Sequence, residues 1–130
     1  MSKEWQTVKQ AEANWILDRP IIKENNTLYR VVEMLRKEVM ELVVATGYHT
    51  LNPTEVTRKD VLQEASDVGI FLMAIFRLLE ADMLDEFMEK IALNTCRYPA
   101  VEFQEGKHSE IYQRLKKKNK QEGVVEQFYE

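Results

Sequence analysis

The scarcity of helix-breaking residues is the feature that most constrains the fold of this chain. Only four glycines and three prolines occur in 130 residues, and between them the apolar residues recur every three or four positions rather than alternating. Alternation is the signature of half-buried strands, whereas this spacing is typical of amphipathic helices. We therefore expect residues 1–130 to form a single all-α domain, a bundle of four to five helices.

Five helical segments are predicted from the apolar spacing and the capping residues. The second follows a cap at residues 25–27 and is expected to end at Gly47. The third is expected to begin at an N-cap at Thr57, and the fourth near Asp82. The last has few apolar residues and should fray at the lysine run 116–120. In chain order, the predicted bounds are about residues 3–18, 28–46, 58–80, 83–97 and a short helix from about 109.

The third helix is apolar almost all the way round over residues 68–79. A small bundle has few neighbours to cover such a helix, so we expect it to take part in a homodimer or homotetramer. Its longest apolar run ends at Arg77, well short of the ~18 residues that a membrane span needs. With no apolar leader after Met1, the sequence favours a cytoplasmic protein without a membrane partner.

Charge and cysteine content exclude several classes of site. The net charge is −4, which does not favour binding to a nucleic acid polymer. Cys96 is the only cysteine, and neither it nor His49 and His108 has the spacing of a zinc site. Stability is therefore expected from packing rather than from a disulfide or a structural zinc ion.

Two acidic pairs are candidates for a functional site. The sequence has five acidic pairs three residues apart, close to the number expected by chance for 22 acidic residues, so spacing alone is not informative. Glu38 borders the apolar face of the second helix, and Glu64 lies on an apolar surface of the third. We therefore expect the pairs Glu38/Glu41 and Glu64/Asp67 to converge if the two helices pack antiparallel.

Four carboxylates in one cleft repel each other unless protons or cations accompany them. Oxygen ligands without histidine or cysteine suit Mg²⁺ or Mn²⁺, and such ions commonly take further oxygens from a phosphate. The pattern thus outlines a metal site for phosphoryl transfer. The alternative is that these acids form ordinary surface ion pairs with nearby cations. The candidate partners are Arg30, Arg36, Lys37 and Arg58.

A second set of side chains could contact phosphates. Lys90, Asn94 and Arg97 recur at i, i+4 and i+7 on the fourth helix and should point in one direction. Alternatively, Lys90 pairs with Glu86, and Arg97 is an ordinary cation near a helix C-terminus.

The order of these motifs resembles the MazG-like all-α nucleoside triphosphate pyrophosphohydrolases. The resemblance covers about residues 25–100, with the C-terminal helix and tail (107–130) outside it. It consists of a Glu-x-x-Glu motif at Glu38, a Glu-x-x-Asp motif at Glu64, a buried helix, and a downstream Asn and Arg. Many members have a further glutamate before each motif, where this chain has Lys37 and Gln63, so additional ligands at those two positions are not expected.

The resemblance implies a function and roles for individual residues. The chain would hydrolyse an NTP or dNTP to the monophosphate and pyrophosphate, as a nucleotide-pool house-cleaning enzyme. Mg²⁺, or Mn²⁺ in its place, would be bound by Glu38, Glu41, Glu64 and Asp67, with Glu38 or Glu41 also orienting or deprotonating water. Lys90, Asn94 and Arg97 would bind the phosphates, and the enzyme would work as a dimer or tetramer. The residues that bind the base are not identified, and the aromatic candidates are Trp15, Tyr29 and Tyr48.

Two alternatives remain open at this point. One keeps the site and changes the substrate, giving a phosphoribosyl-ATP or dUTP pyrophosphohydrolase. The other is a non-catalytic helical dimer that uses residues 68–79 as a protein-interaction surface.

Overall fold

Five α-helices make up nearly all of the part of the chain that the computed structural model describes, which is residues 2–19, 28–103 and 108–122. No strand occurs in these ranges, so the predicted all-α fold is confirmed. None of the helices found there is long and apolar enough to cross a membrane. In chain order they are α1 (Lys3–Leu17), α2 (Leu28–Leu51), α3 (Glu55–Leu78), α4 (Met83–Arg97) and α5 (His108–Glu122), with a 3-10 helix at Ala100–Phe103 before α5.

The chain divides into two compact units. Met1–Met83 contains α1, α2 and α3, and Leu84–Glu130 contains the rest. The single domain expected over residues 1–130 stays a prediction.

Helices α2 and α3 form a hairpin joined by residues 52–54. The prediction that α2 ends at Gly47 is wrong, because the helix continues for four more residues to Leu51. A glycine inside a helix costs only about 1 kcal/mol, which packing along the hairpin can offset. Pro53 lies two residues after the end, and Asn52, the residue before the proline, is disfavoured in the helical conformation.

The start of α3 also differs from the prediction. Its N-cap is Thr54 rather than Thr57. The Thr57 backbone N–H donates to the Thr54 hydroxyl at 3.1 Å, and the Thr54 N–H donates to the Thr57 hydroxyl at 2.9 Å. Thr57 therefore belongs to a capping box, as the third helical residue instead of the cap. The cap predicted at residues 25–27 lies outside the described residues.

The core of the first unit lies where α1, α2 and α3 meet. The buried residues Ile16, Val31, Phe71 and Ala74 form it, and the Trp15 ring packs edge-on against Phe71 with centroids 6.2 Å apart. Residues 68–78 of α3 are all buried or half-buried. The apolar character of this helix is therefore largely accounted for within one chain.

In the second unit, α5 continues through the lysine run that was expected to fray, so that prediction is wrong. The helix ends at Glu122, and Asn119 is buried and donates a hydrogen bond to the Arg97 carbonyl oxygen. The Tyr98 and Tyr112 rings stack with centroids 4.7 Å apart. These contacts anchor α5 beyond the apolar residues that the sequence analysis considered.

Candidate functional site

The α2–α3 hairpin brings together carboxylates that are 26 residues apart in sequence. A short connection makes the two helices antiparallel neighbours, so that positions before the turn meet positions after it. One carboxylate oxygen from each of Glu38, Glu41 and Glu64 lies within 4.8 Å of the others. Three of the four predicted metal ligands thus share one place.

The fourth predicted ligand, Asp67, lies outside this group of three oxygens. Its side chain is exposed, like that of Glu41, whereas Glu38 and Glu64 are half-buried. Asp67 is nevertheless close enough for its charge to raise the pKa of both Glu38 and Glu64. The structure therefore brings Asp67 near the cluster without placing its oxygens among the other three.

Two oxygens of the cluster are buried without a hydrogen-bond partner, namely Oε2 of Glu38 and Oε2 of Glu64. Buried polar atoms normally have partners, and an orphaned carboxylate oxygen carries a desolvation cost. Within the described part of the chain, none of the three glutamates forms an ion pair, and Arg36 instead pairs with Glu33 at 3.0 Å. These three side chains therefore do not form the ordinary surface ion pairs that were the alternative to a metal site.

The electrostatics of the cluster favour the protonated carboxyl. The pKa of Glu38 is raised from 4.5 to about 7, first by burial, then by hydrogen bonding with Glu41 and by the negative charges of Glu41, Asp67 and Glu64. The pKa of Glu64 is raised as well, first by burial and then mainly by the charges of Glu41 and Asp67. Burial is the largest cause of both shifts, and the negative charges of the neighbouring carboxylates add to it.

An open groove of about 630 Å³ runs along the hairpin beside the carboxylates. A groove of this size falls in the range of small-molecule sites. One part of its wall is apolar and aromatic, and another part is acidic. The residues that line it are Lys37, Met40, Glu41, Val44, Ala45, Tyr48, Asn52, Thr57, Asp60 and Glu64.

Asp60 lines the groove and was not among the predicted site residues. Its charge contributes to the raised pKa of Glu64. Since Asp60 precedes Glu64 by four positions on the same helix, the two side chains lie on one face. That i, i+4 relation is the signal that could have identified it.

The three predicted phosphate-binding residues lie on α4, in the second unit. Lys90 and Asn94 are exposed. Arg97 is half-buried, with its guanidinium 5.3 Å from the Tyr98 ring centroid and its Nη2 donating to the Tyr98 hydroxyl at 3.4 Å. The Nε of Arg97 is buried without a partner.

Of the three aromatic candidates for base binding, one lies beside the carboxylates. Tyr48 lines the groove and is 66% exposed. Trp15 packs against Phe71 at the core, and Tyr29 is 76% exposed near the start of α2.

Comparisons with known proteins do not add to this picture: no family model, curated protein or solved structure matches the chain significantly.

Proposed function

We propose that this chain is a Mg²⁺-dependent nucleoside triphosphate pyrophosphohydrolase of the MazG-like type. The observation that carries the proposal is the convergence of Glu38, Glu41 and Glu64 within 4.8 Å, with two of their oxygens buried and unpartnered. Clustered carboxylates without cationic partners are best explained by a cation that they bind.

The residues present fit a hard divalent ion. Glu38, Glu41 and Glu64 would hold it, with Asp67 completing the set from the exposed side, and Mn²⁺ could take the place of Mg²⁺. When bound, such an ion neutralises phosphate oxygens and lowers the pKa of water.

The carboxylates themselves have a second task, which is to position the attacking water. Glu38 and Glu41 are the proposed residues, one half-buried and one exposed at the groove. A carboxylate that hydrogen-bonds a water can orient it and accept its proton as the bond to phosphorus forms. The products are the nucleoside monophosphate and pyrophosphate.

Two sets of residues are proposed to contact the substrate. Tyr48 can stack on a base, with the apolar wall formed by Met40 and Val44. Lys90, Asn94 and Arg97 remain the proposed phosphate contacts, as two cations and one amide donor on one helix.

We also propose that the protein assembles as a homodimer or homotetramer. Support comes from α2, where Val32, Val39 and Val43, which lie outside the groove, are 39–54% exposed. Apolar side chains that cluster on one helix face are typical of an interface. Analytical ultracentrifugation of the parent and of Val43→Glu tests this, with a monomeric parent counting against it.

The function is tested with a panel of nucleotides, assayed for released pyrophosphate with Mg²⁺, with Mn²⁺ and without metal. We expect turnover of one or more NTPs or dNTPs only when metal is present. Hydrolysis confined to phosphoribosyl-ATP or to dUTP would favour the first alternative. No hydrolysis of any nucleotide would favour a non-catalytic interaction module and refute the proposal.

Variants then assign the activity to the cluster. We expect Glu41→Gln and Asp67→Asn each to lower turnover at least a hundredfold while the helical circular dichroism persists. Loss of a carboxylate removes a metal ligand but also relieves repulsion, so the fold should not suffer. The matched control is Glu89→Gln, an exposed glutamate of α4, which should retain full turnover. Activity that survives in both cluster variants would overturn the assignment.

A further inference from the structure

A second cavity lies at the other end of α3 from the carboxylate cluster. Its volume is about 500 Å³, and its walls come from α1, from the last turns of α3 and from residues 80–83. Thirteen positions on α3 separate Arg77 in this cavity from Glu64, which corresponds to roughly 20 Å along the helix. The cavity is therefore separate from the proposed active site, and the inference below does not depend on the proposed function.

The wall of this cavity contains an ion pair in which only one of two possible hydrogen bonds is made. Arg77 Nε donates to Oε2 of Glu12 at 3.3 Å. The Oε1 of Glu12 and the Nη2 of Arg77 are buried and have no hydrogen-bond partner. Glu12 is only 6% exposed, so bulk water does not satisfy its free oxygen. Both residues line the cavity, so an acceptor and a donor without partners lie beside it, in one ion pair.

Two other charged groups of the lining, Lys9 and Asp82, form an ion pair. Lys9 Nζ lies 2.8 Å from Oδ1 of Asp82, and the Trp5 indole N–H donates to the same oxygen at 3.4 Å. These contacts hold the Trp5 ring in the cavity wall, where it provides a flat apolar surface. Glu80 is a further charged residue of the lining, and the unpartnered atoms of Glu12 and Arg77 are buried polar groups that a ligand could satisfy.

We propose that this cavity binds a small planar aromatic molecule with an amide edge, an N–H donor next to a carbonyl acceptor. With the two side chains turned toward the cavity, the N–H would donate to Oε1 of Glu12 and the carbonyl would accept from Nη2 of Arg77. One ligand edge would then satisfy both orphaned atoms. The ring would pack against Trp5, and the cavity is large enough for one or two rings.

The test is a titration of the full ¹⁵N-labelled chain followed through the Trp5 indole N–H resonance. Nicotinamide and hypoxanthine are the probes, because they present the same edge on a carboxamide and on a purine base. Methyl nicotinate and purine are their matched controls, which lack the amide N–H. We expect saturable shifts at low millimolar or lower concentration, with at least tenfold weaker binding of each control. The probe that binds more tightly shows whether the amide edge of the ligand belongs to a carboxamide or to a purine base.

Two variants locate the binding. Glu12→Gln should weaken binding at least tenfold, because it removes the charged acceptor. If that variant does not fold, Ala13→Leu fills the cavity while leaving the ion pair intact, and it should abolish the shifts. Glu41→Gln, at the carboxylate cluster, should bind the probes as the parent does.

Three results would overturn the proposal. They are the absence of any saturable shift up to 20 mM probe, equal binding of probes and controls, and unchanged binding in the folded Glu12 or Ala13 variant. The first would mean that the orphaned atoms are satisfied by water or by closure of the ion pair.

Discussion

Replacing Glu38 by glutamine should stabilise the protein in a pH-dependent way. The folded-state pKa of Glu38 is about 7, against 4.5 for the free side chain, chiefly because of burial. A raised pKa means that the favourable contribution of Glu38 is fully present below pH 4.5 and is lost as the pH rises through 7. Glutamine resembles the protonated carboxyl and does not ionise, so the variant keeps that contribution at every pH.

The size of the effect follows from the shift. Each pKa unit corresponds to 1.36 kcal/mol, which sets an upper limit of about 3 kcal/mol. Since the cluster borders an open groove, solvent screening lowers the expected value to ~1–2 kcal/mol at pH 8. The difference between variant and parent should approach zero at pH 4.5.

Urea unfolding of Glu38→Gln and the parent at pH 4.5, 6, 7 and 8, without divalent ions, measures this difference. Glu89→Gln is the matched control and should stay within about 0.5 kcal/mol of the parent at each pH. A variant that is no more stable than the parent at pH 8, or a difference that shrinks as the pH rises, would refute the reasoning. Adding Mg²⁺ at pH 8 should stabilise the parent and have less effect on the variant.

Three further predictions concern helices α1 and α3. Glu80 has a positive φ of 55° at the end of α3, so Glu80→Gly should stabilise by about 1 kcal/mol in urea unfolding; a loss would contradict this. Thr54→Ala removes the capping box of α3 and should cost about 1 kcal/mol, whereas Thr50→Ala, inside α2, should cost less. Ile16→Ala leaves a cavity in the core and should lower stability by about 2–4 kcal/mol in the same assay; a cost below 1 kcal/mol would show that the site collapses around it.

The convergence of acids was predictable because it depends on helix periodicity. Glu38 and Glu64 each border an apolar face, and two amphipathic helices joined by a short loop bury those faces against each other. The position of Asp67 was less predictable. Asp67 lies three residues after Glu64, which is nearly one helical turn, so its side chain does not point in quite the same direction as that of Glu64. Its exposure depends on how α2 and α3 cross.

The helix ends were less predictable, because competing signals lie close together. Gly47 and Pro53 both mark an end of α2, and only the packing of the last turn decides between them. Thr54 and Thr57 both suit an N-cap, and the reciprocal hydrogen bonds between them make the earlier one the cap. Local propensity does not rank such alternatives when they differ by about 1 kcal/mol.

The ion pair of Glu12 and Arg77 was missed although the sequence contained a signal for it. Glu12 follows Val8 by four positions and precedes Ile16 by four, so it lies on the apolar stripe of α1. A charged residue at such a position is expected to be buried and paired. Its partner was not predictable, since Arg77 is 65 residues away and is brought near by the packing of α1 on α3.

The short connection between α2 and α3 makes the length of the intervening chain a part of the site. One residue inserted into α3 ahead of Glu64 would rotate that side chain by about 100° and advance it by 1.5 Å, away from Glu38. Seven inserted residues would restore the direction but displace the carboxylate by about 10 Å. Residues 52–54, outside both helices, are where extra length could be absorbed. Point substitutions can therefore change the properties of this cluster over evolution and leave its position intact. Insertions and deletions within the helical turns between Glu41 and Glu64 would instead move its carboxylates apart.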